Sequence, residues 1–551
     1  MSLRTGSASA TGDYKAILAN LKDKEFPVAG LLCDDHPPEA VAYRIVRPGQ
    51  PVDLLTYGEL TRQSQQFASA LASIGVGRGD RVATLMGKSR SYLVALLAIW
   101  RLGAVHVPLF TAFAPPAIAF RLGKSLAKVV VADASQASKL TEANAELGDQ
   151  RPRLIVNGDS AEGDHDFAAL MDGKFEPAET ANATLDSPLI HIFTSGTTGS
   201  PKGVIVPVKS LASVKSYADH ALGLRPDDIY WCAADPGWAY GLYFGILASL
   251  LTGIESVLLE GGFSAQGTFD VLADQGITNF AAAPTVYRAM RAEGLEAPTG
   301  LRLRCASSAG EPLTPDVNEW AVNALGVPVH DHYGQTETGM LINNHHNPDQ
   351  ARPLKNGSMG SALPGWSAII LREDSDVPAD PDTVGRVAMD LSQSPLAWFA
   401  GYEGDAAKSA EKFGGDGRYY LTGDTGWMDS DGYFFFSSRD DDVIIMAGYR
   451  IGPFEIESVL ATHEAVTESA VIAVPDEVRG EVMEAFVVLA RGYEGSEALE
   501  KDLQQWVKTR YAAHAFPRRV HFVDELPKTP SGKVQRFLLK DKRRAELQSA
   551  G

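Results

Sequence analysis

Residues 193–204 read FTSGTTGSPKGV, a run dense in hydroxyl side chains and glycine. Glycine lets successive backbone amides turn toward one point, so Gly196 and Gly199 would supply the bends. Thr194, Ser195, Thr197 and Thr198 add hydroxyl donors and Lys202 adds charge. Together they can cradle a polyphosphate. The run is not a Walker A loop, because counting from Gly196 puts Pro201 where the second glycine should stand. On composition alone a plain polar loop remains open.

Three further stretches carry groups suited to charged substrates: DHYGQTETG at 331–339, YYLTGDTGW at 419–427 and LPKTPSGKVQR at 526–536. Glu337 is a lone carboxylate of the kind Mg²⁺ takes together with phosphate oxygens and water. Asp424 can accept two neighbouring hydroxyls at once. Lys533 is a long cation on a glycine-containing turn. Each has an ordinary reading beside the chemical one: a carboxylate at a helix N-terminus for Glu337, a hairpin aspartate for Asp424, and a surface lysine in a loose turn for Lys533.

In their order and spacing these four stretches resemble the core motifs of the adenylate-forming enzymes, which include acyl-CoA synthetases, luciferases and peptide-synthetase adenylation domains. The resemblance covers nearly the whole chain. DPGWAYG, MAGYRIGPFEIES and VPDEVRGEVMEAFVVLA look most like short- and medium-chain acyl-CoA synthetases. The resemblance implies attack of a carboxylate on the α-phosphate of ATP, with Mg²⁺ present, and then transfer of the acyl group to coenzyme A. Both steps concentrate negative charge, so electrostatic preorganisation should dominate.

Carried over residue by residue, the resemblance makes Lys533 the cation at the reacting carboxylate and phosphate. Thr336 would bond the α-phosphate and Glu337 would hold Mg²⁺. Asp424 and Arg439 would take the ribose. Gly310, Glu311 and Pro312 would line the adenine with Asp331, His332 and Tyr333, and Gly334 and Gln335 continue that wall. Asp441 would be the hinge on which a small domain swings, removing Lys533 and bringing in Gly448 beside the pantetheine arm, with Tyr449 next to it; Arg450 would lie near the adenylate phosphate. Arg479 and Lys508 would contact the phosphates of coenzyme A.

Acetate-specific relatives carry Trp where this chain has Gly334, and loss of that indole is expected to open apolar volume. The expected substrate is therefore an acid larger than acetate: medium-chain, branched or aromatic. Trp238, Tyr240 and Leu242 are candidate pocket walls. Two other readings of the same motifs are loading of a carrier protein and non-catalytic nucleotide binding.

The elements that must position these groups are legible in outline. DRVATLM, AVHVPL and AKVVVAD read as strands around the buried helix SYLVALLAIWRLGA, and alternation of this kind predicts an α/β fold of mostly parallel sheets flanked by helices. From about 385 aromatic, glycine and aspartate turns predict a β-rich subdomain of antiparallel hairpins, with DSDG at 429–432 as one turn. Beyond it helices and strands alternate in a small, mobile α+β domain. The expected division is 1–440 for the ATP- and acyl-binding body and 441–551 for the domain carrying Lys533.

A length of 551 residues requires more than one core. A net charge of −19 opposes nucleic acid as a partner; a homo-oligomer is compatible with the chain. Among the basic residues near the C-terminus (Lys508, Arg510, Arg518, Arg519, Lys528, Lys533, Arg536), most read as a solvated face. Cys33, Cys232 and Cys305 are too far apart for a zinc or dithiol motif and read as buried small hydrophobes in a reducing compartment. The N-terminus lacks a signal-peptide core, and the apolar run GLYFGILASLLTGIESVLL reads as a buried helix running into a strand rather than a membrane span. The expected location is cytoplasm or an organelle matrix.

Overall fold

The computed structural model describes residues 13–550 apart from 161, 195–200, 440–441, 447–448, 477–479, 512–514 and 530–532. Two large sheets dominate the body. One has seven strands, with Arg81–Leu85 between Val105–Pro108 and Val129–Asp133, all parallel. These strands are almost wholly buried, which is why they read as continuous apolar runs. Helix Arg90–Arg101 covers them, capped by the Ser89 hydroxyl accepting from the Tyr92 amide at 3.1 Å.

The second sheet has fourteen strands and changes character along its width. Strands Ile229–Cys232, Asn279–Ala282, Cys305–Ala309 and Val329–Gln335 run parallel in its middle. From Val329–Gln335 onward the chain pairs antiparallel, first with Gly339–Asn343. The hairpin Tyr419–Met428 with Phe434–Arg439 extends that half. Its turn is the DSDG stretch, closed by Gly432 donating to the Asp429 carbonyl at 2.9 Å with φ of +81° at the glycine. The parallel middle and antiparallel flank match the two textures of the sequence.

The run GLYFGILASLLTGIESVLL forms helical turns over Gly241–Leu247 and Ala248–Thr252, then strand Glu255–Leu259. No helix among the described residues is long and apolar enough to cross a membrane. All three cysteines are buried, and burial raises the thiols of Cys33 to about 12 and of Cys232 and Cys305 to about 11.

The C-terminal unit has its own core, with Ile456, Val471, Met483, Leu503 and Val507 at its centre. Its five-stranded sheet is built on the antiparallel pair Val466–Asp476 and Gly480–Leu489, joined by Arg519–Phe522 in parallel. Helices Pro453–Leu460, Glu497–Arg510 and Arg536–Ala550 complete an α+β unit. Several of its basic residues are engaged rather than merely solvated. Lys528 pairs with Glu468 at 2.7 Å, Arg536 with Glu457 at 2.7 Å, and Arg510 lies 3.1 Å from the Trp506 ring centroid.

Candidate active site

Parallel strands present their carboxyl ends to one crevice. Cys305–Ala309 leads into Gly310, Glu311 and Pro312, and the neighbouring Val329–Gln335 leads into Thr336 and Glu337. These segments line one cavity of about 1270 Å³, and Thr194, Lys202, Asp331, His332, Tyr333, Gly334, Asp424, Arg439 and Lys533 line it too. Residues from four stretches far apart in sequence thus share one space. The loop of 195–200 lies outside the described residues, so Ser195, Gly196, Thr197, Thr198 and Gly199 are not placed. The described residues on either side form the antiparallel strands Pro188–Thr194 and Lys202–Pro207.

Thr336 and Glu337 sit in the turn between Val329–Gln335 and Gly339–Asn343, not at a helix N-terminus. The Tyr243 hydroxyl donates to the Thr336 carbonyl at 3.1 Å and fixes that turn. Glu337 is buried, and its Oε1 accepts from the Tyr402 hydroxyl at 2.7 Å. Lys202 places its ammonium 5.0 Å from the Tyr402 ring centroid. The Lys412 ammonium donates to the Thr422 carbonyl at 2.8 Å, and burial lowers its pKa against the pull of Glu337 and Asp424.

Asp424 is held from several sides. Its Oδ2 accepts from the Tyr333 hydroxyl and from Gln335 Nε2 at 2.8 Å, while Oδ1 lies 3.3 Å from Arg439 Nε. Tyr420 donates to Gln335 Oε1 at 2.7 Å and so orients the amide. The carboxylate is nearly sealed, at 3% exposure, and any ribose hydroxyl would have to share or displace these donors. Glu311 pairs with Arg288 at 2.8 Å. Asp331 accepts from the Leu313 amide at 3.2 Å, and burial pushes its carboxyl up to about 7 against that bond.

Lys533 enters the same cavity from the C-terminal unit. Its carbonyl accepts from the Thr529 amide at 2.7 Å and its amide donates to Thr529 Oγ1 at 3.1 Å, which closes the turn. Desolvation is the main influence on its ammonium and lowers the pKa; Glu311 opposes this, Arg439 adds to it, and Asp424 and Glu337 oppose it. Protein surrounds the ammonium, yet the side chain keeps solvent contact.

Other expected residues are not brought to the cavity. Lys508 lies on the outer helix Glu497–Arg510 with its ammonium 4.0 Å from the Phe516 ring centroid. Gly448, Arg479 and Asp441, the expected hinge, lie outside the described residues. Tyr449 and Arg450 belong to strand Tyr449–Ile451, and their side chains are outside the description.

Gly334 and Trp238 both line the cavity. The expected vacancy left by the missing indole is not there. A Cβ on Gly334 would come within 2.3 Å of the Gly339 carbonyl oxygen and 2.6 Å of Met340 Cα and Sδ. The pairing of Val329–Gln335 with Gly339–Asn343 shifts register between Tyr333 and Gly334, which brings the facing backbone this close. The glycine serves strand approach rather than pocket volume. Tyr240 bonds the Tyr217 hydroxyl at 2.9 Å, and Leu242 is wholly buried in the core, so neither lines the cavity.

The sequence reading missed the tyrosine brace of Tyr243, Tyr402 and Tyr420, and it missed Lys412, Arg288 and Arg121, which line the cavity. YYL just before LTGDTGW was the available signal for Tyr420. Donor nitrogens of His330, His332 and His346 lie within 4.8 Å of one another. However, both His332 ring nitrogens are engaged, by Tyr217 at 2.7 Å and the Asn344 carbonyl at 2.9 Å. His330 and His346 stack at 3.6 Å. Burial lowers the pKa of each, His330 to about 4, so they pack as neutral rings.

Comparison with known proteins matches this geometry. Residues 33–393 match the family model of AMP-binding enzymes, and residues 455–533 match the model of the AMP-binding enzyme C-terminal domain. The acetyl-coenzyme A synthetase of Bacillus subtilis is 36% identical over 502 residues, covering 88% of this chain and 84% of that protein. Human mitochondrial acyl-coenzyme A synthetase ACSM4 is 36% identical over 493 residues, with the same coverage of 88% and 84%. The crystal structure of a Brucella canis acyl-CoA synthetase superposes with a TM-score of 0.74 at 40% identity, covering 98% of this chain and 99% of that one. The anthranilate CoA ligase AuaEII, in complex with anthranoyl-AMP, gives a TM-score of 0.85 at 26% identity, covering 96% and 98%. The chain belongs to the AMP-binding enzyme family and is an AMP-forming acid–thiol ligase.

Proposed function

We propose that the chain joins a carboxylic acid larger than acetate to coenzyme A in two steps. In the first, a carboxylate oxygen attacks the α-phosphorus of ATP; the bond to pyrophosphate breaks and an acyl-adenylate forms. In the second, the thiol sulfur attacks the acyl carbon, its proton passes to solvent, and AMP leaves. The observation that carries this reading is the convergence of Lys533, Glu337 and Asp424 on one cavity from both units.

Lys533 would offset charge on the attacking carboxylate and the phosphate. Removing one such donor typically costs about 3–4 kcal/mol in the transition state. Thr336 would bond the α-phosphate and Asp424, with Arg439, the ribose. Glu337 suits Mg²⁺, since one carboxylate among phosphate oxygens is an ordinary donor set for that ion and, among the described residues, its hydrogen bond is from Tyr402 to Oε1. When bound there, Mg²⁺ would neutralise phosphate charge. The chain from 441 onward would turn about Asp441 between the two steps, with Gly448, Tyr449, Arg450, Arg479 and Lys508 serving the second.

The size of the acid rests on the cavity. At about 1270 Å³ the cavity has room for a nucleotide and an acid together, and its lining includes the apolar side chains of Phe113, Ala114, Ala117 and Trp238, which suit an acyl group longer than that of acetate. Relatives alone do not choose, since they include an acetyl-coenzyme A synthetase and an anthranilate CoA ligase. Pyrophosphate exchange into ATP, run over acetate, linear, branched and aromatic acids, tests the reading. Best turnover with acetate would refute the size; no exchange with any acid would refute the activation step.

A further inference from the structure

Lys412 enters the cavity from the stretch between helix Ala406–Ala410 and strand Phe413–Gly414. Its carbonyl accepts from the Leu421 amide at 2.8 Å, and Phe413 pairs with Tyr420, so backbone bonds fix it against the strand that carries Asp424. The ammonium donates to the Thr422 carbonyl at 2.8 Å, which also accepts from Gln335 Nε2 at 2.9 Å. An ammonium has three donors, and among the described residues Lys412 forms no ion pair. Arg386 and Lys408, which also line the cavity, each have one, with Asp376 at 2.8 Å and with Glu411 at 2.8 Å.

Burial lowers the Lys412 pKa; Glu337 and then Asp424 oppose this, while Arg439 and Lys202 add to it. Both carboxylates are held by other donors: Tyr402 on Glu337, and Tyr333, Gln335 and Arg439 on Asp424. The ammonium thus stands between them without pairing to either, and a partly buried cation left so is costly unless a ligand supplies the charge.

Gly423 gives a second, purely geometric sign. It lines the cavity with φ of +76°, a conformation that suits glycine. A Cβ built there would lie 3.5 Å from Lys412 Nζ and 3.9 Å from Arg439 Nη2. Two cations therefore face one point above a residue that has no side chain. Like charges this close disfavour one another unless an anion lies between them. The carboxylate of the acid carries a single charge. The phosphate chain of a nucleotide carries several, and it would run from the ribose at Asp424 toward Mg²⁺ at Glu337, the two groups that Lys412 stands between.

We propose that Lys412 is a further catalytic residue, contacting the phosphate chain of ATP. This rests on the acid-activating reading above and adds a phosphate contact to it.

The test titrates ATP with Mg²⁺, AMP and adenosine into the full chain by calorimetry, for wild type, Lys412→Met and Lys412→Arg. Lys412→Met should weaken ATP by about 10- to 100-fold, the usual range for a bond to a charged group. Adenosine should bind as before, and Lys412→Arg should fall between. AMP weakened with ATP places the contact at the α-phosphate, and AMP unchanged places it beyond; both uphold the proposal. Equal weakening of adenosine overturns it and marks a structural role through the Thr422 carbonyl. Unchanged ATP affinity in Lys412→Met overturns it as well. Wild type supplies a measurement that needs no variant: ATP should slow acetylation of Lys412 by acetic anhydride, read by mass spectrometry, and adenosine should not. Equal protection by the two, or none by either, overturns the proposal. Wild type that binds ATP yet exchanges pyrophosphate with no acid refutes the activation step, and the titrations still decide Lys412.

Discussion

The wall that holds Asp424 and the turn that carries Lys533 meet in one cavity, yet they are built in opposite ways. Asp424 is sealed and braced by Tyr333, Gln335 and Arg439, and Tyr420 braces the brace. Lys533 is tied into its turn through backbone and hydroxyl bonds to Thr529, and its side chain keeps solvent contact. Across the gap the two units touch through modest ion pairs such as Arg288 to Glu468 at 3.9 Å. Rigid bracing suits a group that must wait in place. A lightly held cation suits one that must come and go.

The contrast breaks most sharply at Lys533. Lys533→Ala should slow pyrophosphate exchange by about 10²–10³-fold, the usual loss of one charge-stabilising donor. It should leave thioester formation from synthetic acyl-adenylate intact and shift the unfolding free energy by less than about 0.5 kcal/mol. A marked loss of stability would show that the turn is braced after all.

On the wall side, Asp331 should cost stability in a pH-dependent way. Its carboxyl is pushed up to about 7 in the fold, against about 3.9 when unfolded. Between those values the folded chain holds a proton that the unfolded chain has lost. The contribution is therefore full at the acid end, falls as pH rises toward 7, and is flat above. Relative to Asp331→Asn, wild type should lose about 2 kcal/mol between about pH 5.5 and 7.5, read from denaturant midpoints. A pH-independent difference would mean that the carboxylate ionises freely in the wall.

Tyr402→Phe sharpens the comparison within the wall. It removes the donor to Glu337 Oε1, and should cost about 1–1.5 kcal/mol of transition-state stabilisation, roughly tenfold in exchange rate. The Mg²⁺ concentration giving half-maximal rate should move with it. The smallest effect belongs to the gap. Glu468→Gln weakens the pairs to Lys528 and Arg288, and should change the balance of the two half-reactions by less than about threefold at low salt. High salt should erase the difference.

Much of this was readable in the residues themselves. The parallel middle of the body announces itself in apolar runs such as AKVVVAD, because strands covered on both faces cannot afford polar positions. Turn chemistry placed the hairpin at 429–432, where glycine alone accepts the left-handed backbone without strain. The motif stretches were identifiable because they keep a known family's order and spacing along the chain. Their partners were not. A tyrosine that orients Glu337 from 65 residues away leaves no local pattern, and neither does a register shift that brings strand backbone against Gly334.

Side-chain chemistry and local propensity travel with the chain, so the sequence by itself determined which groups do chemistry and which segments become strands or helices. Distances between segments remote along the chain depend on packing. Only the tertiary structure decided that Asp424 is braced, that the space beside Gly334 is filled, and that Tyr402 reaches Glu337.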